Sequence, residues 1–204
     1  MTESSTAINF VLVGVGGQGT LLASNILAEV GLAAGLDVKK SEVHGMAQRG
    51  GSVVSHVRWH PDAVRSPLVG EGEADVLLSF EQMEALRFAG FVRRGGTAVV
   101  NEMKIVPITV SSGAAAYPDD ANLRTVFDQL GATLVTVPGE RLAQQAGNVK
   151  AANVVLLGAI SKLLPLPESA WWSCLEQRIP PKYLELNRVA FASGRDAVSA
   201  TATR

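Results

Sequence analysis

The amino-acid sequence predicts an α/β fold: a three-layer, Rossmann-like domain with a mixed, mostly parallel sheet and a C-terminal helical extension. Three observations carry this expectation. Apolar runs of strand length alternate with helical patterns through the first two-thirds of the chain. The first run, Ile8 to Val13, ends in Gly14-Val15-Gly16-Gly17-Gln18-Gly19 and passes at once into a helical pattern through Leu21, Leu22, Ile26 and Leu27. From Asn148 onward the pattern is helical throughout. The division expected is an α/β core over 1–147, a helical part of the same domain over 148–198 and a disordered tail over 199–204. At 204 residues and 47% hydrophobic content, the chain can bury one sizeable core.

Taken in order, residues 1–7 are a polar start. Strand one covers 8–13, and a helix over 18–34 stops at Gly35, which suits a C-terminal cap. A second strand covers Val38 to Val43 and a third Ser52 to Trp59. The eight residues between them, His44 to Gly51, are too few for a crossover helix, since a parallel return needs roughly a dozen or more. Strands two and three must therefore be antiparallel neighbours. Val53, Ser55, Val57 and Trp59 then share one face, and Val54, His56 and Arg58 the other. A loop with Pro61 and Pro67 leads to a buried-type strand, Ala74 to Phe80. An amphipathic helix over Glu81–Arg93 should end at Gly95-Gly96, followed by strands at Thr97–Asn101 and Ile105–Val110. Asp119 or Asp120 caps a helix through Leu130, closed by Gly131; Thr133–Val137 is a strand and Gly139–Ala146 a short helix. Prolines 165, 167, 180 and 181 cut the remainder into helices over 148–164, 167–178 and 182–198.

Bulk properties exclude several functions. The net charge of −1 gives no basic excess to hold nucleic acid or an anionic membrane. Aromatics are 5% of the chain, too few for a base-stacking platform. The single cysteine, Cys174, can form no internal disulfide and cannot alone ligate an iron–sulfur cluster. The amino terminus has no basic region before its first apolar run, and the stretch Asn153 to Leu166 is too short to span a membrane. A soluble, cytoplasmic protein is expected.

The glycine cluster is the first candidate site. Gly14, Gly16 and Gly19 fit G-x-G-x-x-G, with Gly17 and Gln18 between them. Such a turn permits positive φ and close approach of the backbone, and the amides at the helix start then favour a phosphate or carboxylate. The His44–Gly51 loop is the second candidate. Its three glycines let it bend sharply, and His44, Gln48 and Arg49 supply donors suited to phosphate, carboxylate or carbonyl groups. If strands one and two run parallel, the two bends lie at one sheet edge and form one cleft. As a plain hairpin connection, Arg49 would instead pair with a nearby acid and His44 would cap the backbone; the residues alone leave both open. A nicotinamide cofactor would want an acid near the end of strand two, where Glu42 and Asp37 lie, but the antiparallel return argues against that arrangement. His56 and His60 have no partner at metal-ligand spacing, and Cys174 belongs to a packed helix. Trp171 and Trp172, adjacent on a short helix, should not both face one core, so one of them is expected to reach a partner chain. No nucleophile–base pair, metal cluster or cysteine quartet is written in the chain, so no catalytic residue is assigned and the chain is expected to shape a site for others.

The run Ser41-Glu42-Val43-His44-Gly45-Met46-Ala47-Gln48-Arg49-Gly50-Gly51-Ser52-Val53, following the glycine turn, resembles the gamma-type domain of the 2-oxoacid:ferredoxin oxidoreductases. So do Ala74-Asp75 through Phe80-Glu81, Glu84-Ala85-Leu86, Asn101, Tyr117-Pro118, Asn153 through Leu157-Gly158-Ala159, and Pro180-Pro181-Lys182 through Asn187, Ala190-Phe191 and Gly194. The likeness spans about residues 8–195. It implies a subunit of an enzyme that oxidatively decarboxylates arylpyruvates to an aryl-acetyl-CoA, carbon dioxide and reduced ferredoxin. Thiamine diphosphate, magnesium and [4Fe-4S] clusters are then expected in a large alpha subunit, with coenzyme A at the interface with this chain and ferredoxin reached through the complex. Carried over, Gly14, Gly16, Gly17, Gln18 and Gly19 line one wall of the site, and His44, Gln48 and Arg49 the other. A homodimer is also compatible with the sequence. The competing reading is a standalone nucleotide- or flavin-binding protein of the same fold.

Overall fold

The computed structural model describes residues 7–44, 51–106, 110, 113 and 116–201. Six strands form one sheet in the order β2-β3-β1-β4-β5-β6: β1 (Ile8–Val15), β2 (Asp37–His44), β3 (Ser52–His60), β4 (Ala74–Ser79), β5 (Val92–Asn101) and β6 (Thr133–Val137). The strands β1, β4, β5 and β6 are parallel to one another, while β3 runs antiparallel to both β1 and β2. The short link after β2 forces that hairpin, as expected from its length. Along β1, Phe10 and Leu12 join the core on one face, and Val11 and Val13 join the core on the other. A strand buried on both faces reads as a continuous apolar run, which is what the sequence shows there. The faces of β3 divide as predicted: Val57 and Trp59 enter the first core, Val54 the second.

The first face carries α1 (Thr20–Ala33), α5 (Ala152–Leu163), α6 (Glu168–Arg178) and α7 (Leu184–Thr201). The second carries α2 (Gln82–Arg87) and α3 (Asp120–Leu130). Between β6 and α5 lies α4 (Gly139–Ala146). Asp119 caps α3 through a reciprocal pair with Asn122, and Gly131 closes it.

Several expectations change. The helix expected over Glu81–Arg93 is only α2 followed by a 3₁₀ turn, Ala89–Phe91, and Val92 already opens β5. Gly95 and Gly96 therefore sit inside β5, beside a register shift between Ala74 and Val76. Ile105 and Val106 form no strand. The Ile105 N–H is taken by the buried Glu81 carboxylate (3.0 Å), which also accepts from Glu84 N–H (2.9 Å) and the Tyr117 hydroxyl. That carboxylate pins the segment instead of a strand ladder. Burial first, and the bond to Glu81 second, push the Tyr117 phenol upward, so it stays protonated and donating. Residues 107–109 lie outside the described residues. The helix α7 continues to Thr201, past the end expected at Val198, and 202–204 lie outside the described residues. Trp171 and Trp172 are both buried, against the expectation for one of them. Both rings meet Phe191 of α7, at 6.3 and 5.6 Å between centroids, and Arg188 lies 4.4 Å over Trp172. The helix α6 is covered by α1 and by α7, so two adjacent positions both find cover.

His56 is a buried structural residue. Its ring lies edge-on to Phe91 (5.9 Å), and Nδ1 accepts the Val69 N–H at 3.3 Å. Burial lowers its pKa. The unfolded chain therefore takes the proton first, and stability should decline as pH falls below about 6.5 toward the depressed folded value. Urea denaturation at pH 7.5 and 5.5 should show the parent losing more stability on acidification than His56→Gln; equal losses would remove His56 as the source.

Candidate functional site

The parallel strands β1, β4, β5 and β6 end together, at Val15, Ser79, Asn101 and Val137. From β1 the chain leaves to the first face as α1; from its neighbour β4 it leaves to the second face as α2. Adjacent parallel strands whose connections part in this way open a crevice at their carboxyl ends. A cavity of about 380 Å³ lies there, lined among others by Gly17, Gly19, Met103, Glu140, Lys150 and Asn153.

Each glycine of the turn has its own physical reason. At Gly14 a Cβ would lie 2.8 Å from Gln18 Oε1 and from Thr20 Oγ1, and 2.9 Å from Phe80 Cβ, so the position is closed by packing. Gly16 N–H donates to the Gly51 carbonyl at 3.1 Å. Gly17 and Gly19 have φ of +101° and +84°, a region costly for residues with a Cβ. Gly19 caps α1 without any side-chain hydrogen bond, and no acid occupies the first turn. The positive end of α1 is thus left bare at the crevice, the arrangement that suits an anion.

Gln18 points inward as a clamp. Its Oε1 accepts the Val15 N–H (2.7 Å), and its Nε2 donates to the Phe80 carbonyl (3.1 Å) and to Met103 Sδ (3.2 Å). The amide joins the ends of β1 and β4 to the segment after β5. Asn101 makes the next join: Nδ2 donates to the Phe80 carbonyl (3.1 Å) and Glu140 Oε1 (3.0 Å), and Oδ1 accepts Gly139 N–H (3.0 Å).

The second bend begins at the same edge. His44 pairs with Val53, and Val53 pairs with Gly14, so the end of β2 lies in one row with the glycine turn, with β3 between them. Gly51, at the other end of the bend, holds Gly16. Gln48 and Arg49 lie outside the described residues, as does the side chain of His44. Glu42 is held by Lys40 Nζ and by Ser24 Oγ (3.4 Å), and Asp37 stands at the opposite end of β2, accepting Val64 N–H at 2.7 Å. With β3 separating β2 from β1, neither acid is placed to hold a ribose beside the turn.

The sequence reading missed Lys150 and Glu140 as lining residues. Both are single charges within helical patterns, with no motif around them. Asn101 and Asn153 were legible only through the resemblance. Elsewhere, Cys174 is buried and burial, then the charge of Glu29, pushes its thiol pKa up, which makes it a poor nucleophile. Among the described residues no group of His, Cys, Asp or Glu could hold a metal ion, and no helix is long and apolar enough to cross a membrane.

Fold and crevice define a class: a Rossmann-like α/β domain that presents a helix N-terminus without a side-chain cap beside the ends of the link that joins β2 to β3. The chain matches the pyruvate ferredoxin/flavodoxin oxidoreductase family over residues 9–197 and belongs to that family. It is 43% identical over 189 residues to the indolepyruvate oxidoreductase subunit IorB of Thermococcus kodakarensis, covering 91% of this chain and 93% of that one. It is 30% identical over 152 residues to the ketoisovalerate oxidoreductase subunit VorA of Methanothermobacter marburgensis, covering 74% of this chain and 27% of that one. Among solved structures, the gamma subunit of a keto/oxoacid ferredoxin oxidoreductase from Geobacter sulfurreducens has a TM-score of 0.70 at 24% identity, covering 95% and 99% of the two chains. The 2-oxoglutarate:ferredoxin oxidoreductase of Magnetococcus marinus, with 2-oxoglutarate, coenzyme A and succinyl-CoA bound, has a TM-score of 0.76 at 20% identity, covering 97% of this chain and 32% of that one. The same fold thus occurs both as a separate subunit and inside longer chains.

Proposed function

We propose that this chain is the smaller subunit of an indolepyruvate-type 2-oxoacid:ferredoxin oxidoreductase, completing the active-site cleft and part of the coenzyme A site beside a larger subunit. The carrying observation is the uncapped start of α1 at the crevice, tied through Gly16 to the Gly51 end of the second bend. The likeness to the Thermococcus IorB subunit supports the substrate class.

The cofactors of such an enzyme divide by chemistry. A [4Fe-4S] cluster needs several thiolates, and the one cysteine here is buried. The magnesium of thiamine diphosphate takes carboxylate, carbonyl and phosphate oxygens, and among the described residues no group of three or more His, Cys, Asp or Glu gathers to hold a metal ion. In this reading the larger subunit would hold these groups, and thiamine diphosphate would there supply the electron sink for decarboxylation. Coenzyme A fits this chain better: the start of α1 at Gly19, which has neither a side-chain cap nor an acid in its first turn, and the Lys150 ammonium suit its phosphates. In this reading the chain binds, orients and shields; ferredoxin takes electrons from the complex.

Arg49→Ala is expected to leave the isolated subunit folded and to raise the KM for coenzyme A of the reconstituted complex by about 10-fold, the effect of one charge-assisted hydrogen bond. Steady-state kinetics with the larger subunit is the measurement. Unchanged kinetics would remove Arg49 from the site.

A further inference from the structure

We propose that the outer edge of β6 is the interface through which two copies of this chain pair, strand against strand, into one continuous sheet. The inference stands apart from the function reading above. The strand β6 is the last of the sheet and pairs only with β5, from Thr97 with Thr133 to Asn101 with Val137, without a shift of register. The Val137 carbonyl accepts Glu102 N–H at 2.9 Å, so it faces β5. Backbone groups alternate along a strand, so those of Thr133 and Val135 face β5 as well. The N–H and C=O groups of Leu134 and Thr136 therefore point outward, and no described residue pairs with them. The space beyond is open. A cavity of about 730 Å³ reaches to α4 and α7, another of about 210 Å³ reaches to α3, and Leu134 and Thr136 line both.

The two edges of the sheet are built differently. At the far edge, β2 carries Lys39 and Lys40 within the strand, ion-paired to Asp37 (3.7 Å) and to Glu42. Charged side chains, lysine above all, deter an edge from pairing with another chain. The strand β6 reads Thr-Leu-Val-Thr-Val, with no charge, proline or bulge. Such a strand is complementary to itself when antiparallel. With the dyad at Val135, Leu134 of each copy lies opposite Thr136 of the other, and every outward N–H finds an outward carbonyl. Val135 then meets Val135 in the close pair without hydrogen bonds, where β-branched side chains pack well. The flanks agree with this pairing. Glu102, Asp196, Arg124 and Arg141 border the edge, none bridged to another, and their charges cancel. Twin copies thus meet there without an excess of like charge. On α7, Val189 is 48% exposed and lies four residues before Ser193, on the helix face that borders the larger cavity. A dyad normal to the sheet sets that face beside its own copy and covers it. The carboxyl-end crevices of two antiparallel halves open in opposite directions, so pairing leaves each of them free.

Sedimentation velocity of the full chain should show a monomer–dimer equilibrium that shifts to dimer as concentration rises. Thr136→Pro removes an outward N–H and touches no bond to β5; Thr136→Lys adds the charge that guards other edges. Each should weaken dimerisation by about 10-fold or more, with far-ultraviolet circular dichroism unchanged, while Lys39→Thr on β2 leaves the equilibrium as it is. Should both Thr136 variants misfold, amide exchange in the parent decides. The Leu134 and Thr136 N–H groups should exchange fast in dilute solution and slowly in concentrated solution; rates that do not vary with concentration overturn the proposal. A chain that stays monomeric at every concentration overturns it. So does a dimer insensitive to folded Thr136 variants, or one lost in Lys39→Thr. A monomeric chain whose Thr136→Lys variant no longer binds the larger subunit gives the edge to that subunit and not to a second copy.

Discussion

Alanine at Gly158 or at Gly194 should destabilise the protein by about 3 kcal/mol or more, although alanine is the better helix former. These two glycines are where α5 and α7 cross. A Cβ on Gly158 would overlap the Phe191 carbonyl oxygen and lie 2.9 Å from its carbon. A Cβ on Gly194 would overlap the Val155 carbonyl oxygen and lie 2.8 Å from its carbon. The obstructing atoms are backbone, so no rotamer change relieves them and the helices must separate. Separation would draw Phe191 away from Trp171 and Trp172 and loosen Leu156, Leu157 and Ile160, all fully buried. Thermal unfolding should show Tm lowered by about 6–12 °C for a chain of this size. Gly90→Ala is the control: nothing lies within 4 Å of a Cβ there, so stability should stay within about 0.5 kcal/mol. A Gly158 variant as stable as the parent would mean that the helices are held further apart than the structure has them.

The same pair of glycines shows what a sequence hides. Gly158 and Gly194 were visible only as part of a resemblance, because close helix crossing depends on partners that are 36 residues apart in the chain and leaves no local pattern. Trp171 and Trp172 failed for the same reason: helical periodicity gives one buried stripe, and a helix enclosed on two sides needs more than one. By contrast, the hairpin of β2 and β3 was legible from the length of the link, and the common edge of the two glycine bends followed from it, since β1 and β2 both pair antiparallel with β3. Ile105 was read as strand from its β-branched surroundings, but a buried carboxylate, Glu81, captured its N–H. At the site, the turn was legible through its glycines, whereas the inward aim of Gln18 was not. Composition places Gln18 on the turn; only the packing of Phe80 and Met103 decides which way the amide faces.

That inward aim makes Gln18 the position where one atom should matter most at the crevice. Gln18→Ala removes an acceptor from Val15 N–H and donors from the Phe80 carbonyl and Met103 Sδ. The Phe80 carbonyl keeps its bond from Asn101, so the main penalty is the Val15 amide left unpaired, about 1–3 kcal/mol. Gln18→Glu is more informative. Its carboxylate still accepts from Val15, but ionised it sets a second acceptor against the Phe80 carbonyl. Protonated, it can donate there as the native amide does. The folded state therefore holds the proton more tightly, and the new acid should have a raised pKa relative to the unfolded value of about 4.3. Between those two pKa values the folded form binds more protons than the unfolded form, so stability falls as pH rises through the window and stays low above it. Gln18→Glu should thus approach the parent in stability at pH 4.5 and fall behind at pH 8, while Gln18→Ala shows a constant deficit. On the proposed function, the same variant in the assembled enzyme should lose coupling between the glycine turn and the loop after β5, seen as a coenzyme A KM that worsens as pH rises. A deficit in Gln18→Glu that does not vary with pH would show that Nε2 does not hold the Phe80 carbonyl, and that the turn is set by Gly14 packing alone.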